Sequence, residues 1–120
     1  NAEKLSTINL SKNKLKSFQY PQLKNLIEIM IGDNEIQGEF NWNQHPKLRV
    51  LECRNNKLTR INGADYTGEV YMLDCYNNNL KTIDLRNSKK VYWINCEKNP
   101  GVEIFADMYG YSGDANVKMQ

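Results

Sequence analysis

Leu48-Arg49-Val50-Leu51-Glu52-Cys53-Arg54-Asn55-Asn56-Lys57-Leu58 is one copy of a pattern that runs through most of the chain. Positions one, four, six and eleven are apolar, and position nine is asparagine. Starts at Leu5, Leu26, Leu48, Val70 and Val91 place five copies at intervals of 21, 22, 22 and 21 residues. Self-similarity at a fixed period of this length marks a solenoid, in which each unit stacks on the next.

The other copies keep the register with substitutions. They carry Ile8, Leu10, Asn13 and Leu15, then Ile29, Ile31, Asn34 and Ile36, then Leu73, Cys75, Asn78 and Leu80. The fifth has Ile94, Cys96 and Asn99 and then breaks, with Pro100-Gly101-Val102 where the last leucine should stand. Positions four and six are two apart with mostly polar residues between them, the alternation of a strand with one buried face. Identical strands at one period should lie parallel, about 4.8 Å apart. No unit can bury its own apolar face, so neighbours must bury it for one another. The asparagines at position nine fall where the chain turns inward after the strand. A carboxamide there can bond backbone groups that a turn leaves unpaired, so this column reads as structural, not as a ligand site.

A second apolar series follows each unit: Phe18 with Tyr20, Phe40 with Trp42, Ile61, Ile83 with Leu85, and Ile104. The pairs are again two apart, and about ten residues remain for each return, too few for a helix and its turns. The returns are therefore expected to be short extended structure in a thin coil. The whole register resembles the leucine-rich repeat over about residues 5 to 106. That resemblance implies a leucine-rich-repeat solenoid with a parallel β-sheet on the concave side and short extended or turn returns on the convex side. It implies little or no α-helix. The returns Lys57-Leu58-Thr59-Arg60-Ile61 and Leu80-Lys81-Thr82-Ile83-Asp84-Leu85, and the unit from Leu80 to Asn99, are similar to short bacterial repeats of internalin-like and Bacteroidetes surface proteins. This second resemblance implies an extracellular or cell-surface location.

A chain of 120 residues is one domain, 1–120, with 107–120 expected as a capping tail that folds over the last repeat as a small hairpin. The net charge of +2 and the scattered lysines (Lys12, Lys14, Lys16, Lys24, Lys89, Lys90) lack the basic stripe of a nucleic-acid protein. No apolar run has the length of a membrane span. The first repeat opens at Leu5, so its core edge is expected either to continue into a longer protein or to pair edge to edge with another chain. Cys53, Cys75 and Cys96 share position six and should point into the core as small apolar residues. Their Cβ atoms would stack farther apart than a disulfide allows, and their spacing is that of the repeat, not of a zinc site.

No catalytic constellation is legible. The one histidine, His45, stands in a polar return beside Pro46 with no nucleophile or carboxylate at a recognisable spacing, and no cofactor motif is present. Function is expected on the open face of the strands, where positions three, five and seven point away from the core. The last three units place Val50, Met72 and Trp93 in one row, Glu52, Asp74 and Asn95 in the next, and Arg54, Tyr76 and Glu97 in the third. Tyr71 and Tyr92 stand at the rim. Exposed Trp, Tyr and Arg most often carry interface energy, although cross-strand packing explains large side chains equally well. Glu52 and Asp74 are stacked like charges, read either as a solvated pair or as a site for a basic group of a partner. The sequence thus points to a non-catalytic module that binds a protein, with a glycan-binding module or a rigid spacer as alternatives.

Overall fold

The computed structural model describes residues 4–106 and the backbone of 116–118. Five strands at the predicted positions form the first sheet: β1 (Thr7–Asn9), β2 (Glu28–Met30), β4 (Val50–Glu52), β7 (Met72–Asp74) and β10 (Ile94–Asn95), parallel and in that order. Ile8, Ile29, Leu51, Leu73 and Ile94 are direct partners along it, as the repeat demands. Among the described residues there is no α-helix; Trp42–Gln44 forms a single 3-10 turn, capped by the Asn41 side chain accepting from the Asn43 amide at 3.1 Å.

The returns are more ordered than a thin coil. β3 (Gln37–Asn41), β5 (Lys57–Asn62), β8 (Thr82–Asp84), β11 (Glu103–Phe105) and β12 (Asn116–Lys118) make a second parallel sheet. Phe40, Ile61, Ile83 and Ile104 are register partners along it. A third ladder joins β6 (Glu69–Val70) to β9 (Lys90–Val91). β12 runs parallel to β11, whereas a hairpin would be antiparallel, so this part of the tail extends the second sheet. The rest of the expected cap, 107–115 and 119–120, lies outside the described residues.

One core lies between the sheets. Leu26, Leu48, Val70 and Val91 at position one, and Cys53, Cys75 and Cys96 at position six, are fully buried in it. Burial pushes the Cys53 and Cys75 thiols well above the ordinary range, which suppresses thiolate chemistry. At the first coil Ile8 and Leu10 are only partly buried and Leu5 is exposed. His45 is not a loop residue in water, as its polar neighbours suggested. It is 1% exposed, its ring lies 5.8 Å from Phe40 and 6.0 Å from Phe18, and Nδ1 is 3.3 Å from the Leu23 carbonyl.

The asparagine column ties each coil to the one before it. Asn56 accepts from the Ile36 amide (3.0 Å) and donates to the carbonyls of Ile31 (3.0 Å) and Cys53 (3.1 Å). Asn78 repeats this with Leu58, Cys53 and Cys75, and Asn99 with Leu80, Cys75 and Cys96. Asn13, at the end of the column, is exposed; its side chain donates to the Ser11 carbonyl, and its own amide donates to Asn34 Oδ1 at 2.8 Å. One position earlier stands a column the repeat pattern did not reveal. Lys12, Asp33, Asn55, Asn77 and Lys98 all have φ between 56° and 61°. This left-handed backbone costs least for Asn and Asp. Asn77 donates to Asn55 and Asn55 to Asp33, so the middle of the column is also a side-chain ladder.

Candidate partner-binding face

The outward rows of the first sheet differ in how much the fold itself uses them. At position five, Asn9, Met30, Glu52, Asp74 and Asn95 lie in register. Four of these side chains turn back on their own chain. Asn9 accepts from Ser11 N (3.1 Å), Glu52 from Arg54 N (2.9 Å), Asp74 from Tyr76 N (3.4 Å) and Asn95 from Glu97 N (3.1 Å). This two-residue cap closes the turn that follows the strand. Met30 cannot make it, and the space across the following Gly32 is taken by the Glu52 carboxylate: a Cβ on Gly32 would lie 2.7 Å from Oε1.

The paired carboxylates therefore have an internal explanation. Asp74 is 8% exposed, less open than an outward position implies, and Arg54 Nε lies 3.6 Å from its Oδ2. Glu52 is half-buried, and desolvation raises its pKa despite the hydrogen bond from Arg54, with the charges of Asp74 and Asp33 adding to the rise. Arg54 also covers the Tyr76 ring at 4.8 Å, and Lys98 approaches that ring at 5.6 Å.

Rows two and three are different. Tyr71, Tyr92 and Trp93 are 48%, 40% and 38% exposed, and they stand on adjacent coils. Tyr71 and Tyr92 meet edge to face, 5.6 Å apart, a pairing worth about 0.5–1.5 kcal/mol beyond area burial. Arg49 Nη1 donates to the Tyr71 hydroxyl at 2.9 Å and lies 3.5 Å from Glu69, while Lys90 Nζ sits 5.1 Å from the Tyr92 ring. Val50 and Met72 are direct partners and half-buried, and they extend the apolar strip from Trp93. Glu97 is exposed at the end of row seven and Asn95 half-buried beside it. The predicted residues thus come together as one surface, with aromatic groups at the rim and cations beside them. Arg49 and Lys90 belong to this surface but are not among the predicted site residues: Arg49 shares the rim position with Tyr71 and Tyr92, and Lys90 reads in sequence as an ordinary solvated charge.

The repeat register, the two parallel sheets and the asparagine column settle the architecture. This is a leucine-rich-repeat solenoid. Comparison with known proteins agrees at that level. A leucine-rich repeat protein of Acanthamoeba polyphaga mimivirus is 27% identical over 103 residues, covering 82% of this chain and 24% of its own length. The acidic leucine-rich nuclear phosphoprotein 32 family member A of Drosophila melanogaster is 33% identical over 86 residues, covering 68% of this chain and 32% of its own length. Its counterpart in Drosophila pseudoobscura pseudoobscura is also 33% identical over 86 residues. No family model matches, and no solved structure matches significantly. The solenoid spans about a third or less of the length of these relatives. The extracellular or cell-surface location implied by the bacterial resemblance is corrected here, because the fly relatives are nuclear by name. The bacterial subtype is likewise not what these viral and fly relatives support.

Proposed function

We propose that this solenoid is a non-catalytic interaction module that binds a protein partner through the aromatic end of its first sheet. The observation that carries this reading is the exposure of Tyr71, Tyr92 and Trp93 side by side on successive coils. Large apolar groups clustered on a surface serve binding more often than folding, and Tyr, Trp and Arg dominate interface energetics. Val50, Met72, Tyr76 and Arg54 complete the contact, and Glu97 and Asn95 edge it. Glu52 and Asp74 hold the turns that present it. The fly relatives' name favours a nuclear setting for that partner.

The test is a pull-down from native extract with the wild type beside a Tyr71→Ala, Tyr92→Ala, Trp93→Ala variant, both checked for folding by far-UV circular dichroism. A partner held by the wild type and lost by the folded variant supports the module. Each anchoring aromatic should contribute about 2 kcal/mol or more. Equal retention removes the site from this face. An oligosaccharide bound in place of a protein favours the glycan reading, and self-association through the exposed Leu5 end would show as a dimer unaffected by the triple variant.

A further inference from the structure

A cavity of about 250 Å³ opens on the second sheet, away from the aromatic face. It exists because the first return leaves the sheet early. Gln37 N still bonds the Lys16 carbonyl at 3.2 Å, but then Phe18 turns inward to lie 6.0 Å from Phe40, and β3 becomes the end strand. The β3 register shifts between Gly38 and Glu39, and Gly38, at φ 79°, has nothing within 4 Å of where its Cβ would be. The shift skips Thr59 of β5, and the gap between the departing return and the β3 edge is the cavity.

Its walls are carboxamides. Gln19, Gln37, Gln44 and Asn41 line it with Glu39, and Phe18 supplies an apolar wall. Asn41 Oδ1 is committed to the Asn43 amide, which leaves its NH₂ group as donor. Among the described residues the side chains of Gln19, Gln37 and Gln44 make no hydrogen bond at all. Three amide side chains that the fold does not use converge on one space.

We propose that this cavity binds a neutral polyhydroxylated ligand, a single sugar ring. A carboxamide offers donors and an acceptor together, and a hydroxyl does the same, so the two are matched in kind. An anion would find no cation in the walls. A cation would find only Glu39, whose Oε1 is already 3.5 Å from Arg60 Nε. The volume lies below the roughly 300–1,000 Å³ of pockets for drug-sized ligands, which suits one ring and not a chain of them.

The experiment is a heteronuclear NMR titration of the full chain with glucose, mannose, galactose and N-acetylglucosamine, each alone, for the wild type and for Gln37→Ala/Gln44→Ala. At least one sugar should give saturable shifts confined to 18–19 and 37–44, with a dissociation constant on the order of 1 mM. The double variant should bind it at least about tenfold more weakly, a change of about 1.4 kcal/mol, at an unchanged denaturation midpoint. The single variants Gln37→Ala and Gln44→Ala carry the test if the double one is unstable. No saturable shift with any of the sugars overturns the proposal, as do equal binding by the variants and shifts centred on Tyr71, Tyr92 and Trp93. The cavity is remote from the aromatic face, so either site can fail alone.

Discussion

Replacing Asn78 with alanine should destabilise the solenoid far more than the same change at Asn13, although both occupy position nine of the repeat. Asn78 is 5% exposed and is the partner of four backbone groups: the Leu58 amide and the Cys53 and Cys75 carbonyls at 3.0–3.1 Å, and the Tyr76 carbonyl at 3.4 Å. Alanine leaves the Leu58 amide buried and unpaired, while the Cys53, Cys75 and Tyr76 carbonyls each lose one donor and keep another, from Asn56, Asn99 and the Asn55 amide. The orphaned amide costs about 1–3 kcal/mol and each lost bond to the two cysteine carbonyls about 0.5–1.5 kcal/mol, so even the lower bounds give roughly 2 kcal/mol. That is about an eighth to two-fifths of the roughly 5–15 kcal/mol by which an ordinary domain is stable. Asn13 is exposed and its side chain makes one bond, to the Ser11 carbonyl at 3.0 Å, so the loss of that side chain should stay within about 0.5 kcal/mol. Urea denaturation separates the two cases: with a slope of about 1–3 kcal/mol/M, Asn78→Ala should lower the midpoint by about 0.7 M or more. The Leu58 amide, which loses its acceptor, should show faster hydrogen exchange before its neighbours do. Asn78→Asp should be no better, because it keeps the acceptor but turns a carboxylate toward the two carbonyls. If Asn78→Ala and Asn13→Ala lowered the midpoint by the same small amount, the column would not be what joins the coils.

Four further outcomes follow from individual side chains and glycines. Desolvation lowers the pKa of buried His45 from 6.5, so the folded state binds this proton less readily than the unfolded one. Stability from His45 is therefore complete above pH 6.5 and falls as pH drops from there toward the lowered value. His45→Phe, with Phe18 and Phe40 on either side, should flatten that part of a denaturation-versus-pH curve, and an unchanged slope would refute the assignment. Glu52 has the opposite sign: its folded pKa is raised above 4.5, so stability rises as pH falls through that raised value and is complete below 4.5. Glu52→Gln keeps an acceptor for Arg54 N and should leave the melting temperature at pH 7 equal or slightly higher; a marked drop would show that the charge itself is needed. Gly63→Ala should cost about 1–3 kcal/mol, because its Cβ would lie 2.7 Å from Leu85 Cδ2 and 3.2 Å from the Asp84 carbonyl. Gly32→Ala meets only the end of the Glu52 side chain, so its cost, read by the same melts, should vanish in a Glu52→Ala background.

What was legible in the sequence was whatever repeats with one chemistry. The apolar rows at positions one, four and six placed the first sheet residue by residue, because one-sided burial admits a single register. The asparagine at position nine was legible because no other residue bonds amides and carbonyls equally well. The second sheet was only half legible. Phe40, Ile61, Ile83 and Ile104 announced extended returns, but side-chain spacing cannot show that neighbouring returns pair through their backbones. The left-handed column hid behind Lys12 and Lys98, which accept the same φ as Asp33, Asn55 and Asn77 without advertising it. His45 was misleading because its neighbours in the chain are polar, while its neighbours in space, Phe18 and Phe40, lie on two different coils. The carboxamide cavity left no trace in the repeat, since it arises where the first return departs from it.

The division of labour among the columns also decides where specificity can reside. A residue that closes a turn cannot be exchanged for the sake of a partner without loosening the coil. Glu52, Asp74 and Asn95 are bound in this way to the amides of Arg54, Tyr76 and Glu97. Any loss of binding on mutating them would mix a folding effect with a contact effect. The backbone makes no such use of the Tyr71, Tyr92 and Trp93 side chains: the contacts of the two tyrosines are to each other, to Arg49 and to Lys90, all at the surface. The same holds for Val50 and Met72, which only fill the strip beside Trp93. Rows two and three are therefore free to change while the scaffold stays constant, and a partner can be selected there at little cost to the fold. Trp93→Ala should alter affinity while leaving the urea midpoint nearly unchanged, whereas row-five substitutions that remove the side-chain acceptor should move both together.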